Sequence, residues 1–207
     1  MSFSRSILRP AVIAVLFSVT ACSGAASLGG GGGSVYGAGD PKLAAPNLAG
    51  GPIDPFLADG QAVLRALDAI AERSGKPLRV TSLMADGTNG LTVDVQEPKN
   101  HIDVDQYVVA PDGTLKGPAP VRLVSLNGGP ITVAEVNASA FDPKTIGLAH
   151  LTQTVRAAIA ASKTPDARVS EWDFGGPNGR RFMYLEAARA RPAAELDENF
   201  RIKHISF

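Results

Sequence analysis

The sequence predicts an α+β domain: two repeats of a helix followed by an antiparallel three-stranded meander, with an extra hairpin between them. Three observations predict it. Apolar residues keep helical spacing over 57–74 and again over 143–163. Each stretch is followed by short alternating segments broken at Gly- and Asn-rich turns. An offset of 89 residues carries Val80 onto Val169, Gly87 onto Gly176, Asn89 onto Asn178 and Gly90 onto Gly179, so Gly-x-Asn-Gly recurs at one place in both halves.

The first repeat covers about 55–116. Leu57, Val63, Leu64, Leu67, Ile70 and Ala71 form the apolar face of its helix, opened by Asp54-Pro55 and closed by Gly75 and Pro77. Leu78 to Leu83 reads as a strand, and Asp86-Gly87-Thr88-Asn89-Gly90 as a turn with a strong Asn-Gly hairpin signal. Leu91 to Val95 alternates as a half-buried strand does, and Ile102 to Val109 makes the third strand. The connecting hairpin, 117–141, pairs Val121 to Leu126 with Ile131 to Val136 around Asn127-Gly128-Gly129-Pro130. The second repeat covers about 142–207: a helix carrying Ile146, Leu148, Leu151, Val155, Ala158 and Ile159, then strands at Arg168 to Phe174, Arg181 to Glu186 and Phe200 to Phe207. A helix covers one face of its sheet, leaving the other for solvent, the partner repeat or a ligand.

Ahead of this domain, 53–207, stand two segments of another kind. Residues 1–22 have the three parts of a secretory signal: basic Arg5 and Arg9, the apolar run Ala11 to Val19, and small residues. The apolar run is about half of what a membrane-spanning helix needs. It ends in Val19-Thr20-Ala21-Cys22, which resembles the lipobox of bacterial lipoproteins. That resemblance implies diacylglyceryl and palmitate acylation of Cys22, cleavage before it, and stable attachment through several acyl chains. Ser23 rather than Asp follows the cysteine, which implies an outer-membrane location facing the periplasm in a diderm bacterium. Residues 23–52, rich in Gly, Ala and Pro, read as a tether.

Composition narrows the function further. Cys22 is the only cysteine, so no internal disulfide forms. Without Arg5 and Arg9 the mature chain has 18 basic and 20 acidic residues, which excludes the basic footprint of a nucleic-acid binder. Helix followed by a three-stranded meander resembles PepSY-like domains, and Ile102 to Leu115, with Tyr107 and the Asp112-Gly113 turn, carries most of the likeness. The second repeat departs from that pattern, because Phe207 is reached without a closing turn.

The chain has no Gly-x-Ser-x-Gly elbow, phosphate loop or His-Glu-x-x-His, and is read as a non-enzyme that needs no cofactor. His101, Asp103 and Asp105 share a face if they stand on one strand, which makes them the candidate metal ligands. The simpler reading is the wet side of a surface strand. Trp172, Phe174, Phe182, Tyr184, Phe200 and Phe207 read mainly as the core of the second repeat. An exposed subset, Trp172 and Tyr184 with Arg180 and Arg181, is the candidate interface. The expectation is a lipid-anchored envelope protein that binds, assembles with or inhibits another envelope protein. The alternative is a small-ligand or metal binder using a groove between the repeats.

Overall fold

The computed structural model describes residues 54–125, 128–164, 166–176 and 179–207. The signal segment 1–22, Cys22 and the tether 23–52 lie outside them.

Asp54 and Asp59 start the first helical pair. The Asp54 carboxylate accepts the Phe56 N–H at 2.8 Å and caps α1 (Pro55–Ala58). The Asp59 carboxylate accepts the Gln61 N–H at 2.8 Å and caps α2 (Gly60–Ser74). Ala62, Val63, Ala66, Leu67, Ile70 and Ala71 are the buried stripe of α2. Gly75 ends it at φ 105°, a backbone that favours glycine, with its N–H on the Ala71 carbonyl. Four strands follow: β1 (Val80–Asp86), β2 (Gly90–Gln96), β3 (Val104–Val109) and β4 (Leu115–Pro120).

The second half again places its helices before its strands. After α3 (Val133–Ser139), a 3-10 turn at Leu148–His150 leads into α4 (Leu151–Ser162). Then come β5 (Arg168–Gly175), β6 (Arg181–Glu186), β7 (Ala193–Leu196) and β8 (Ile202–Ser206). All eight strands form one antiparallel sheet in the order β4-β3-β2-β1-β5-β6-β7-β8. The halves meet edge to edge along β1 and β5, so no groove divides them there.

Helices α1, α2 and α4 pack on one face. Leu83, Ala85, Leu91, Val93, Val95 and Val109 from the first half share one core with Trp172, Phe174, Met183, Leu185 and Ala194 from the second. Trp172 ties the halves: its indole N–H donates to the Phe56 carbonyl at 2.9 Å, and its ring meets Phe200 edge-on at 5.5 Å. Phe174 stacks on Phe200 at 5.1 Å. Gly60 allows α2 to reach the 3-10 turn, since a Cβ there would stand 1.8 Å from the Leu148 carbonyl oxygen.

Three expectations need correction. Each half has four strands rather than three, the added ones being β4 and β7. The connecting hairpin does not form. Its first arm, as far as residue 125, is not a strand, and prolines at 118 and 120 have already removed ladder donors. Its second arm runs into α3, because Thr132 and Glu135 make a reciprocal capping box. Finally, residues 143–147 are not helical, and helix begins only at Leu148.

From α3 the chain returns to the sheet at Phe141, which exchanges two 2.9 Å backbone hydrogen bonds with Val80. The sheet's irregularities also correspond between halves. The β1–β2 register shifts between Val80 and Ser82, and the β5–β6 register between Val169 and Glu171, 89 residues on. In that irregular step the Thr81 hydroxyl donates to the Asp94 carbonyl at 3.4 Å, and the Ser170 hydroxyl to the Tyr184 carbonyl at 3.3 Å.

Candidate functional site

Strand alternation sends every second side chain away from the core. With Leu83 and Ala85 in the core, Ser82, Met84 and Asp86 point to the opposite face. Register then fixes a row across the whole sheet: Lys116, Val108, Thr92, Met84, Asp173, Phe182, Glu195 and His204. A parallel row holds Asp86, Glu171, Tyr184 and Ala193. On the first half this face is largely closed: Ser82, Thr92, Asp94 and Gln96 are buried. Helix α3 reaches it at the Gln96 end, where the Gln96 amide donates to Asn137 Oδ1 at 2.7 Å. On the second half Glu171, Asp173, Phe182 and Tyr184 stay half-exposed.

The carboxylates here perturb one another. Asp173 is pushed up to about 6 by burial first and then by the charge of Glu171, against the pull of Arg180. Burial likewise raises Asp94, which the Gln106 amide at 3.0 Å partly offsets. Glu171 is raised by burial and by Asp86. Beside them Phe182 and Tyr184 stack with ring centroids 6.1 Å apart. Burial and the neighbouring Asp173 raise the Tyr184 hydroxyl. Acidic groups next to a flat aromatic surface suit contact with a cationic or hydrogen-bond-donating group.

The residues singled out in the sequence fall in different places. Trp172 is fully buried and belongs to the core, so its candidate interface role is overturned. Its strand neighbours explain this: Trp172 pairs with Ala85 and Met183 on the helix-covered face. Tyr184 lies on the opposite face, and Arg180 is exposed beside it at the end of the sheet. Arg181 turns towards the core edge, its guanidinium 5.2 Å over the Phe174 ring.

His101, Asp103 and Asp105 do not form the expected strand row. β3 starts at Val104, leaving His101 and Asp103 in the preceding turn. His101 Nε2 pairs with the Pro98 carbonyl at 3.1 Å, and Asp103 accepts the Asn100 side-chain amide at 2.6 Å. Among the described residues no group of three or more His, Cys, Asp or Glu is placed to hold a metal ion. Glu171, Asp173 and Asp94 were not singled out in the sequence and Phe182 was read as core, although the strand placement of Glu171 and Asp173 had a signal. Glu171-Trp172-Asp173-Phe174 alternates charge with aromatic, as a strand does between a core and an open face.

Fold and face together define an α+β protein whose eight-stranded antiparallel sheet carries its main helices on one side. No family model and no curated protein matches the chain. Among solved structures, a candidate lipoprotein of Clostridium difficile 630 is similar with a TM-score of 0.44 and 11% sequence identity, covering 73% of this chain and 93% of that one. A likeness of that degree carries no conclusion about function. Among the described residues no helix is long and apolar enough to cross a membrane.

Proposed function

We propose that the chain is a bacterial envelope lipoprotein, held to the membrane through acylated Cys22. Its folded part acts as a binding module for another envelope protein. Val19-Thr20-Ala21-Cys22 after a short apolar run supports the anchor, and the tether 23–52 supplies reach. One observation carries the binding role: half-exposed Phe182 and Tyr184 stand beside the carboxylates of Asp173 and Glu171 on the side of the sheet away from α2 and α4. Aromatic side chains on a partly desolvated face are the usual anchors of protein interfaces.

The two halves are read as copies of one ancestral unit. The constant offset of 89 residues, the shared strand order and the matching register shifts support this.

A photocrosslinking residue at Tyr184, compared with one at exposed Arg156 on α4, tests the binding role in cells. The expected result is a discrete adduct from position 184 alone, abolished by Asp173→Arg. Equal adducts from both positions would remove the case for this face. Mass spectrometry of the purified protein tests the anchor: acyl mass on Cys22 is expected, and its absence ends that part of the reading.

A further inference from the structure

At the β6–β8 end of the sheet lies a cleft of about 330 Å³, lined by Arg180, Arg181, Phe182, Glu195 and Lys203, with Gly179 and Leu196 completing the wall. We infer that this cleft is a binding site for a small organic anion: a carboxylate or phosphate ester carrying an aromatic body. The volume falls at the lower end of the ~300–1,000 Å³ usual for small-molecule pockets.

Three cations and the Glu195 carboxylate line the cleft, and Glu198 stands against Arg181 from outside it, so the cations exceed the carboxylates by one. Two of the cations are already held in place. The Arg181 guanidinium lies over the Phe174 ring, donates to the Gly176 carbonyl at 3.4 Å and stands 3.8 Å from the Glu198 carboxylate. Lys203 donates to Glu195 at 2.6 Å. Positioning before binding lowers the ordering cost a ligand must meet. Arg180 is exposed and makes no ion pair among the described residues, so its charge is the least compensated of the three, with only the longer-range pull of Asp173 upon it. A guanidinium offers a planar fork that matches a carboxylate or phosphate.

Phe182 decides the rest of the ligand. Its ring lies between Asp173 and Glu195 on the open face and is only half-buried. A ligand anchored at Arg180 and Lys203 lays its body over that ring. A planar aromatic body gains most from such contact.

The full chain, ¹⁵N-labelled and held in detergent, is titrated with phenyl phosphate, inorganic phosphate and benzylammonium. Phenyl phosphate should shift the amides of Arg180, Arg181, Phe182 and Lys203 saturably. The Arg180→Ala/Lys203→Ala double variant, altering two exposed side chains, should bind about tenfold more weakly. Glu195→Gln removes the competing carboxylate and should bind about threefold more tightly. Inorganic phosphate, lacking a ring, should bind several-fold more weakly than phenyl phosphate. The inference is overturned if shifts are scattered, if the double variant binds equally, if phosphate matches phenyl phosphate, or if benzylammonium moves the same amides more strongly. Unchanged amide dispersion in the variants shows that the fold survives and keeps the comparison valid.

Discussion

Met84 and Asp173 face one another across the β1–β5 ladder and stand 89 residues apart, so the midpoint of the seam pairs two positions separated by the same offset that relates the Gly-x-Asn-Gly turns. The pair Asp86–Glu171 maps by the same offset onto Gly175–Ser82, which is also a pair of the ladder. The seam is thus symmetric about a point where one half presents a thioether and the other a carboxyl. Only one acid occupies the centre.

Met84→Asp should test that asymmetry. Two carboxyls would then face each other directly, and like charges opposed across a ladder are destabilising. Urea denaturation should show a loss of about 1–3 kcal/mol at pH 7. Most of that loss should disappear near pH 4, where one of the pair takes up a proton.

Asp173 itself should make stability fall with rising pH. Its folded-state pKa, about 6, lies above the ordinary 3.8, so the folded protein holds the proton more tightly than the unfolded chain. That preference is present at low pH and is lost as pH rises from about 4 through about 6. Asp173→Asn should therefore stabilise the protein at pH 7.5 by about 1–2 kcal/mol, after allowance for screening by water, and much less at pH 4. Thermal unfolding at the two pH values checks this.

Trp172→Phe should weaken the link between halves. The Phe56 carbonyl loses its indole donor at a buried position, and part of the ring volume becomes a void. The expected cost is about 2–4 kcal/mol in denaturant unfolding, with one cooperative transition retained.

Gly176→Ala should dislodge the connection between halves. A methyl there would stand 1.8 Å from the Ser139 carbonyl oxygen, and backbone must move to make room. Hydrogen exchange should speed up across Val133–Ser139 before it does so in the β1–β2 ladder.

Thr132→Ala should act more locally. It removes the hydroxyl that accepts the Glu135 N–H at 3.3 Å and leaves α3 without its reciprocal cap. A loss of about 1 kcal/mol is expected, read as faster exchange within that short helix.

Much of the architecture was legible from periodicity. Val63, Leu67 and Ile70 announced α2, and Asn89-Gly90 announced the β1–β2 turn. The shorter strands were not legible. β4 contains Gly117, Pro118 and Pro120, whose local preferences oppose strand, and it exists because β3 offers it an edge. Apolar Ile131, Val133 and Val136 resembled a strand until the Thr132–Glu135 cap outweighed them. The open face was foreseeable in kind, since helices on one side leave the other free. Its key residues were not, because Glu171 and Asp173 matter only once β1 brings Asp86 and Asp94 near them, and that pairing joins distant parts of the chain. His101 misled because its local pattern suggested a strand where the backbone turns.

The β1–β5 seam also orders events during folding. β1 finds β2 across a short turn, but its other edge waits for β5, with Asp86 meeting Glu171 only 85 residues later. Such distant pairing is slow, because a long loop must close before any contact rewards it. Until then the first half presents a bare row of backbone donors and acceptors, ready to pair with any passing strand. The molecule's exposure to misassembly is therefore concentrated in the interval between completion of its first half and arrival of β5, and a chaperone acting in that interval would protect it most.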